Sequence, residues 1–478
     1  MNKRIDIIKH SLFPIIGQAG DELKMQTFVI GGWVRDYILN IKKNQIEFDI
    51  VCDKDGIQLA KKVAQKLKIK HVNIYKNFGT AAIRYKDINI EFIGARKESY
   101  TKESRNPKIQ KGTIKDDQKR RDFTINAMSV SLNKKNYGEF IDPFNGLKDL
   151  KDKIIKTPLD PIKTYSDDPL RMMRAIRFAT TLNFTIDDNS LRAIINNYSR
   201  LNIIKQERIT EELNKIIMSK KPSIGFELLS KTGLLKTFFT EFESLHGTEI
   251  INGITHKDNF YHTLKVLDNI SIKSQNLWLR WSAILHDIAK PKTKKFDTKN
   301  GWTFHGHEHL GSKMVYHIFK KLKLPMNDNM KYVQKLVLLH LRPIALSKEI
   351  VTDSAIRRLL FDAQNDIDDL MTLCNADITS KNEKKVVRYK KNLHIVANKL
   401  KDIEEKDKIK NWRPPINGDI IMKKLKLQGG KNNPSGGKTI AIIKEKIKEA
   451  ILDGEIKNNY KEAEKLMYKI AQELELDY

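Results

Sequence analysis

Two patterns of apolar and polar residues divide the chain. Between residue 25 and about residue 142, short β-prone apolar runs alternate with helical pieces such as 57–67. This alternation predicts strands at six places: 28–30, 48–51, 71–74, 81–85, 88–93 and 129–132. From about residue 160 to the C-terminus, apolar residues recur with helical spacing. The patterns therefore predict an α+β protein, in which a small α/β head is followed by an extended all-helical part.

The domain boundaries are placed where these patterns change. We predict a head with an N-terminal lead-in helix at 1–145, a helical neck at 146–240, a helical body at 241–390 and a helical tail at 391–478. The length of 478 residues supports several domains, because a single core stops growing near about 250–300 residues. Within the head, the charged segment 94–121 lacks an apolar pattern, which predicts either a mobile functional loop or a disordered surface loop.

The first predicted strand runs into a glycine pair that is suited to phosphate. Gly31 and Gly32 follow the strand directly, and a helical pattern begins after them. A turn on two glycines at a helix start brings backbone N–H groups close to a phosphate chain. Arg35, in the first helical turn, adds a planar fork of donors for phosphate oxygens. The simpler alternative is an ordinary Gly-Gly turn.

Two carboxylates lie on the second predicted strand. Glu47 and Asp49 are two residues apart, so they share one face of a strand. Like charges side by side are costly unless a cation lies between them, and Mg²⁺ is commonly held by one or two carboxylates together with substrate phosphates. The pair therefore predicts a magnesium site. Glu91 is a lone acid in a later strand, and we interpret it as an edge-strand acid rather than a third metal ligand.

A polar cluster follows the charged segment at the end of the head. Arg120 and Arg121 precede Asp122, and Asn126 lies one turn further on. Guanidinium groups pair with phosphates, while a carboxylate and an amide supply hydrogen-bond partners for a ribose. Arg121 and Asp122 are therefore predicted to bind nucleotide.

The neck contains a possible reader of a base edge. Asp168 and Arg171 are three residues apart and share a helical face that Arg174 and Arg177 continue. A carboxylate accepts from an exocyclic amine, and a guanidinium donates to ring nitrogen or carbonyl acceptors. C and A both carry such an amine, whereas U and G present an oxygen, so this pair would select CTP and ATP together. The simpler alternative makes Asp168 a helix N-cap before Pro169.

Histidines and acids in the predicted body form a second candidate set. His262 lies upstream, His286 and Asp287 close the apolar helical run 278–285, and Asp377 lies downstream. Imidazoles and carboxylates spread over a helical domain are the ligand types of a divalent-metal hydrolase site. Further histidines lie between them: His305, His307, His309 and His340. Each single histidine has the alternative of an ordinary core or surface position.

The overall charge indicates a polyanionic partner. The formal net charge is +29, from 88 Lys and Arg against 59 Asp and Glu. Nucleic acid is the common partner of such a protein, although an AT-rich genome would also raise the lysine content. No apolar run is long enough to span a membrane. With two cysteines, Cys52 and Cys374, the default is a reducing cytoplasm.

These motifs together resemble the bacterial tRNA nucleotidyltransferase and poly(A) polymerase family, the class II CCA-adding enzymes. The matching motifs are GGWVRD at 31–36, EFD at 47–49, RRDFTINA at 120–127, DPFNGLKDL at 142–150, DDPLRMMRAIRF at 167–178 and ERITEEL at 207–213. The resemblance covers roughly residues 25–235 densely, and the remainder is similar to members that carry an HD domain.

The resemblance implies a role for each domain and for the site residues. It implies a nucleotidyltransferase head, a neck that binds nucleotide and RNA, an HD-type body and a tail that helps to hold the tRNA. The metal pair would be Glu47 and Asp49. Contacts to nucleotide would come from Gly31, Gly32, Arg35, Arg121, Asp122, Asp168, Arg171, Arg174 and Arg177. This chain departs from the family at one position: it has Glu47 where the family usually has Asp. The longer side chain would displace the ligand oxygens, and catalysis tolerates small displacements poorly.

The implied function is template-independent addition of C, C and A to tRNA 3′ ends from CTP and ATP. In this reaction the tRNA 3′-hydroxyl attacks the α-phosphate with the help of two Mg²⁺ ions. The alternatives are a poly(A) polymerase or a partial CC- or A-adding enzyme, and an HD-type metal phosphohydrolase with an inactive transferase head, which Glu47 favours. A non-enzymatic tRNA-binding protein is disfavoured by Arg35, Asp49 and the Asp168–Arg171 pair. A second divalent metal in the HD region is expected, and the oligomeric state is left open.

Overall fold

The structure is a computed structural model that describes residues 10–42, 45–75, 79–101, 104–346, 352–380, 382–407, 409–410, 412–427 and 434–476. The chain forms two compact units, Met1–Glu243 and Ser244–Tyr478. The first nine residues of the predicted lead-in helix lie outside the described residues, and its remainder forms α1 (Leu12–Glu22).

A mixed sheet forms the base of the first unit. Its strands are β1 (Thr27–Ile30), β2 (Ile46–Cys52), β3 (Asn73–Tyr75), β4 (Thr80–Tyr85), β5 (Ile88–Gly94), β8 (Ser129–Ser131) and β9 (Phe140–Ile141), in the order β3-β4-β5-β2-β1-β8-β9. Strands β2 and β5 are parallel, and the other neighbours are antiparallel. The six predicted strands are thus confirmed, with small shifts at their ends.

The registers place two acids side by side in the middle of this sheet. Asp49 on β2 is opposite Ile30 on one side and Glu91 of β5 on the other. Because β5 has β2 and β4 as neighbours, it is an internal strand. The interpretation of Glu91 as an edge-strand acid is therefore wrong.

The charged segment 94–121 has regular structure where none was predicted. It contains the antiparallel hairpin of β6 (Arg96–Thr101) and β7 (Ser104–Lys111), followed by α4 (Ile114–Lys119). Thr113 and Asp116 form a capping box at the start of α4. The prediction failed because a hairpin of mostly polar residues lacks the apolar alternation by which strands are recognised in a sequence.

Helices cover the sheet and then form the neck. Those of the first unit are α1, α2 (Gly32–Ile38), α3 (Gly56–Lys66), α4, α5 (Gly146–Lys151), α6 (Pro161–Asp167), α7 (Leu170–Leu182), α8 (Asp188–Asn197), α9 (Gln206–Ile217), α10 (Pro222–Lys231), α11 (Leu235–Phe238) and α12 (Thr240–Glu243). A short parallel pair, β10 (Ile154–Ile155) and β11 (Thr185–Ile186), lies among them. The α1 helix packs so closely that a Cβ added at Gly17 would lie 1.8 Å from the carbonyl oxygen of Leu132.

Partly buried polar contacts join the neck helix α7 to the end of the head. Arg174 donates from Nε to Asp122 Oδ2 at 2.7 Å, and Arg171 donates to the carbonyl oxygen of Arg120, also at 2.7 Å. Burial acts to raise the pKa of Asp122, but the Arg174 guanidinium and the Asn126 amide lower it to about 2. Met172, Met173 and the other apolar residues of α7 face the neck core. The position of the neck helix therefore depends on charged groups of the head.

The second unit is helical, as the sequence predicts. Its helices are α13 (Asn259–Lys273), α14 (Leu277–Leu285), α15 (Lys290–Thr293), α16 (His307–Lys321), α17 (Asp328–Leu339), α18 (Leu341–Leu346), α19 (Asp353–Ala363), α20 (Ile367–Asp377), α21 (Glu383–Asp407), α22 (Gly418–Lys424), α23 (Pro434–Asp453) and α24 (Tyr460–Glu473). Two small hairpins interrupt them, β12 (Ile250–Ile251) with β13 (Ile254–Thr255) and β14 (Lys295–Asp297) with β15 (Gly301–Thr303).

The last helices have an apolar core of their own, in which Ile421, Ile447 and Met467 are fully buried. The α+β fold class is confirmed by the sheet of the head and by the helices that follow it. In the described part of the chain, no helix is long and apolar enough to cross a membrane.

A substitution of Asp122 tests the contact between head and neck. Because the folded-state pKa lies below the ordinary value, the carboxylate stabilises the fold above about pH 4, and this contribution is lost as the pH falls towards 2. We expect Asp122→Asn to lower the free energy of unfolding by about 2–3 kcal/mol at pH 7, measured by urea denaturation. Asp152→Asn at an exposed position is the control. A deficit of the same size at pH 2 would contradict the assignment.

Candidate active site and candidate metal centre

The glycine turn of the head has the geometry that the sequence predicts. Gly31 has φ +84, a conformation that favours glycine, and it connects β1 to α2. A Cβ added there would lie 2.7 Å from Arg121 Nη1 and 3.1 Å from Asp49 Oδ2. Because Gly31 has no side chain, the guanidinium of Arg121 and the carboxylate of Asp49, which are distant in sequence, can approach each other here. Gly32 is the first residue of α2.

The predicted metal pair lies on the same strand beside this turn. Glu47 is exposed and Asp49 is half-buried on β2. Burial raises the pKa of Asp49, a shift that Arg121 opposes and Glu47 increases. Burial also raises the pKa of Glu91, and Asp49 adds to that shift. Three carboxylates thus repel one another in one place, and their oxygens are the ligands that a hard divalent cation prefers. The residues present fit such an ion.

Arg35 points into the protein. Its side chain is buried and donates from Nη2 to Asp36 Oδ1 and from Nη1 to Asn126 Oδ1, both at 2.6 Å. The guanidinium carbon also lies 4.8 Å from the ring centre of Phe178 on α7. Arg35 therefore lies beneath the glycine turn and connects α2 to the neck, within a network of protein groups.

The predicted neck residues gather around the same phenylalanine. The guanidinium carbons of Arg174 and Arg177 lie 5.4 and 3.9 Å from the Phe178 ring centre, within the range of cation–π contacts. Arg177 also pairs with Glu212 of α9 at 2.5 Å. Phe178 and Glu212 lie within the motifs at 167–178 and 207–213, but neither residue was given a role from the sequence, because nothing in a sequence shows that an acid on a distant helix meets these arginines.

Asp168 and Arg171 lie at the start of the neck helix. Asp168 Oδ1 accepts a hydrogen bond from the backbone N–H of Leu170 at 3.2 Å, which holds the first turn of α7. Both side chains are half-buried.

Arg121 of the head is held by Asp117 through a 3.2 Å hydrogen bond from its Nε. The structure thus brings together the head residues Gly31, Asp49, Arg35, Arg121 and Asp122 with Arg171, Arg174 and Arg177 of the neck.

A cluster of histidines and acids lies inside the second unit. His262 Nε2 is 2.9 Å from Asp377 Oδ1 and 3.4 Å from Asp287 Oδ2, and His286 Nε2 is 3.2 Å from Asp287 Oδ2. The four predicted residues therefore meet. His307 Nε2 and His340 Nε2 also approach Asp287 Oδ1, at 3.3 and 3.8 Å. The ligand atoms form two overlapping trios, His262, His286 and Asp287, and Asp287, His307 and His340.

Backbone carbonyls orient the rings of this cluster. The Nδ1 atoms of His286, His307 and His340 lie 2.7–2.8 Å from the carbonyl oxygens of Ala283, Phe304 and Val337. A carbonyl only accepts, so each Nδ1 carries a proton, and in its neutral form each ring turns an Nε2 lone pair inward. The three Nε2 atoms are buried and have no hydrogen-bond partner. Oriented imidazoles of this kind are typical of metal ligands.

The electrostatics of the cluster also suit a cation. Burial acts to lower the pKa of His286, but Asp287 and Asp377 raise it to about 10, so the carboxylates attract positive charge into the site. Burial, with His286 beside it, lowers the pKa of His340 to about 4, and its ring stays neutral. The donor set of imidazoles and carboxylates therefore fits a divalent transition-type metal ion.

His340 could have been singled out from the sequence. His340 directly follows the apolar run 336–339 at the end of α17, as His286 follows the apolar end of α14. By contrast, His309 is 71% exposed, and neither it nor His305 contributes to the trios.

A cavity of about 340 Å³ reaches this centre and is lined by Lys257, Lys290, Phe304 and Tyr389 together with His262 and Asp377.

Comparison with known proteins agrees with this organisation. Three family models match the chain: a poly A polymerase head domain at residues 27–156, a probable RNA and SrmB-binding site of polymerase A at 183–245, and an HD domain at 259–382. An A-adding tRNA nucleotidyltransferase of Aquifex aeolicus is 36% identical over 205 residues, which are 43% of this chain and 24% of the relative. The chain thus spans about a quarter of that relative's length.

Longer matches extend the similarity along the chain. A multifunctional CCA protein of Psychromonas ingrahamii is 31% identical over 320 residues, which are 63% of this chain and 71% of the relative. The fold is similar to that of a Thermotoga maritima CCA-adding enzyme complexed with tRNA, with a TM-score of 0.58, 21% identity, and coverage of 99% of this chain and 97% of the other. The chain therefore belongs to the tRNA nucleotidyltransferase and poly(A) polymerase family, in a form that carries an HD domain.

Proposed function

We propose that this protein adds C, C and A to the 3′ ends of tRNA from CTP and ATP, without a template. The observation that carries the proposal is the approach of Asp49 and Arg121 over Gly31, next to a neck helix that is held by Asp122 and Arg174. A carboxylate site for metal, a glycine turn and a set of cations are the groups that nucleotidyl transfer needs. The net charge of +29 suits an RNA partner.

Membership of this family carries a general dependence on divalent metal ions. We propose Mg²⁺ as the ion, and Glu47 and Asp49 as the residues that would hold it. When bound, Mg²⁺ supplies activation of the attacking hydroxyl and neutralisation of charge on the leaving pyrophosphate. The chain itself supplies Arg121 beside Asp49, where negative charge develops in the transition state, and Arg35 as the group that fixes α2 against the neck.

Nucleotide choice is assigned to the start of the neck helix. Asp168 and Arg171 are both half-buried at the end of α7 that contacts the head, since Arg171 bonds to the carbonyl of Arg120. An acceptor beside a donor fits the amine and the ring nitrogen that C and A share. The partial A-adding activity stays an alternative, because the Aquifex aeolicus relative is named an A-adding enzyme. A poly(A) polymerase is the other alternative on this scaffold.

Incorporation assays separate these activities. We expect a tRNA that lacks its terminal CCA to gain three residues when CTP, ATP and Mg²⁺ are present, whereas a partial enzyme would add only C or only A and a poly(A) polymerase would add long A tails. Asp49→Ala should abolish incorporation while tRNA binding, measured by gel shift, survives, because only the metal ligand is removed. Asp87→Ala, at an exposed turn of the head, is the matched control. Continued incorporation by Asp49→Ala would place the metal elsewhere.

The longer carboxylate at position 47 has its own test. Glu47 is exposed on β2, so its additional methylene has room to adjust. We expect Glu47→Asp to retain activity with a kcat within about tenfold of the wild type, because the shorter side chain still presents two oxygens on the same strand face. Single-turnover rates at saturating CTP are the measurement. A complete loss in Glu47→Asp would show that the site is built around glutamate.

We further propose that the histidine cluster is the centre of a metal-dependent phosphohydrolase, as a second activity of the chain. The specific observation is the set of three buried Nε2 atoms that have no hydrogen-bond partner and approach Asp287. A divalent cation held there supplies Lewis acidity towards a phosphate ester. Lys290, whose ammonium group lies 2.5 Å from Asp287 Oδ2 and also lines the adjoining cavity, offers a positive charge to the same ester.

Metal titration tests this second activity. We expect the wild type to bind Mn²⁺ or Ni²⁺ in calorimetry and His340→Ala to lose at least about tenfold in affinity for one ion, because a neutral, oriented ligand is removed. Phosphate-ester hydrolysis, followed with a nitrophenyl ester, should fall in parallel. His309→Ala, at an exposed position on α16, should bind like the wild type. Equal metal binding by His340→Ala and the wild type would exclude His340 as a ligand.

A further inference from the structure

Asp287 is shared by two groups of ligands in the histidine cluster. The described residues form two trios of ligand atoms, each within 4.8 Å, rather than one group of five. Asp287 belongs to both trios, and its two carboxylate oxygens face different ones. The Oδ2 side of the cluster consists of His262 and His286, together with Asp377 beside them, and the Oδ1 side consists of His307 and His340.

Both sides have buried nitrogen atoms that lack a partner. His286 Nε2 on the Oδ2 side, and the Nε2 atoms of His307 and His340 on the Oδ1 side, have no hydrogen-bond partner among the described residues. A cation on one side would leave a nitrogen of the other side unpaired, and an unpaired buried polar group is costly. Ligands that call for an ion are therefore present on each side of Asp287.

The two sides differ in a cation that the chain itself supplies. The ammonium group of Lys290 lies 2.5 Å from Asp287 Oδ2, and the backbone N–H of Lys290 donates to the carbonyl oxygen of Asp287 at 2.9 Å. An ion on the Oδ2 side would compete with this ammonium group for the same oxygen and would be repelled by its charge. The Oδ1 contacts of Asp287 within the described part of the chain are with His307 and His340 instead.

Lys290 has space to move away from Asp287. Its side chain is 19% exposed and lines the cavity of about 340 Å³ that reaches the cluster. Its ammonium group already lies 5.6 Å from the ring centre of Phe304 on the wall of that cavity, within the range of a cation–π contact. The ammonium group can therefore leave Oδ2 while the backbone contact keeps Lys290 beside Asp287.

We propose that the cluster binds two divalent ions that share Asp287, and that Lys290 makes their binding unequal. The first ion binds on the Oδ1 side, and the second binds on the Oδ2 side when Lys290 moves from Asp287 into the cavity. Two ions about 3.5–4 Å apart supply a clamp for the attacking and leaving oxygens of phosphoryl transfer. Because the second ion displaces Lys290, the charge of this residue becomes available to a phosphate ester once the centre is complete. The inference rests on the metal binding proposed for this cluster.

Removal of the ammonium group tests the order of binding. All proteins in this test carry Asp49→Ala, so that a proposed metal ligand of the head is absent. Calorimetric titration with Mn²⁺ should show two events with affinities at least about tenfold apart. Lys290→Met should strengthen the weaker event by about tenfold or more and leave the stronger one unchanged, because only Oδ2 loses a competing cation. Lys290→Gln should act in the same way. Lys257→Met, which removes another ammonium group of the same cavity, should change neither event.

Ligand variants assign each event to one side of the cluster. His340→Ala should weaken the stronger event and His262→Ala the weaker event, each by about tenfold or more. Electron paramagnetic resonance gives a reading that does not depend on hydrolysis. The spectrum of two coupled Mn²⁺ ions should appear only with the second equivalent when Lys290 is present, and at a lower Mn²⁺ concentration in Lys290→Met.

The outcomes distinguish this inference from the proposed hydrolase. A single binding event in every variant would overturn the two-ion centre, and an unchanged weaker event in both Lys290 variants would overturn the role of Lys290. Absence of any binding would overturn the inference and the hydrolase together. Two coupled ions without hydrolysis of the nitrophenyl ester would overturn the hydrolase alone, and the two-ion centre would stand.

Discussion

The contact between Arg174 and Asp122 is the constraint on which the geometry of the first unit depends. A buried charge is costly unless it is paired, and the buried carboxylate of Asp122 finds its partner in Arg174, which is partly exposed where α7 meets the head. Once they pair, Phe178 lies beside Arg35, and Arg171 reaches the backbone of Arg120. The cations of the neck and the carboxylates of the head are then fixed relative to one another. The same ion pair that holds the domains therefore also sets the distance between the groups proposed to act on the nucleotide.

In both candidate centres, several electron-rich groups lie close together, and a bound cation would reduce the repulsion between them. In the head, Glu47, Asp49 and Glu91 lie on neighbouring strands, and burial together with mutual repulsion raises the pKa of Asp49 and Glu91. In the second unit, the Nε2 atoms of His286 and His340 converge on Asp287 and have no hydrogen-bond partner. The first set contains only hard oxygen donors, and the second adds imidazole nitrogens. The donor sets therefore differ in kind: hard oxygen donors suit a hard divalent cation, whereas imidazole nitrogens suit a softer one.

Local features of the chain were predicted well, and the two errors have separate causes. The strand period of two placed Glu47 and Asp49 on one face, and the glycine pair predicted the turn at Gly31, because both depend on neighbouring residues only. The hairpin at 96–111 was missed since its strands are polar and lack alternation. Glu91 was assigned to a sheet edge because strand order is decided by pairing between residues that are far apart in the sequence.

The sequence by itself determined the family, the α+β division, the shared strand face of Glu47 and Asp49, and four members of the histidine cluster. The tertiary structure decided which groups meet: Arg35 with Asn126, Arg177 with Glu212, and His307 and His340 with Asp287. The fold also placed Trp33 and Tyr37 of α2 around the same cavity as Glu47 and Asp49. The physical reason is that periodicity and turn chemistry act over a few residues, whereas the partner of a buried charge is selected by the packing of elements that are many residues apart.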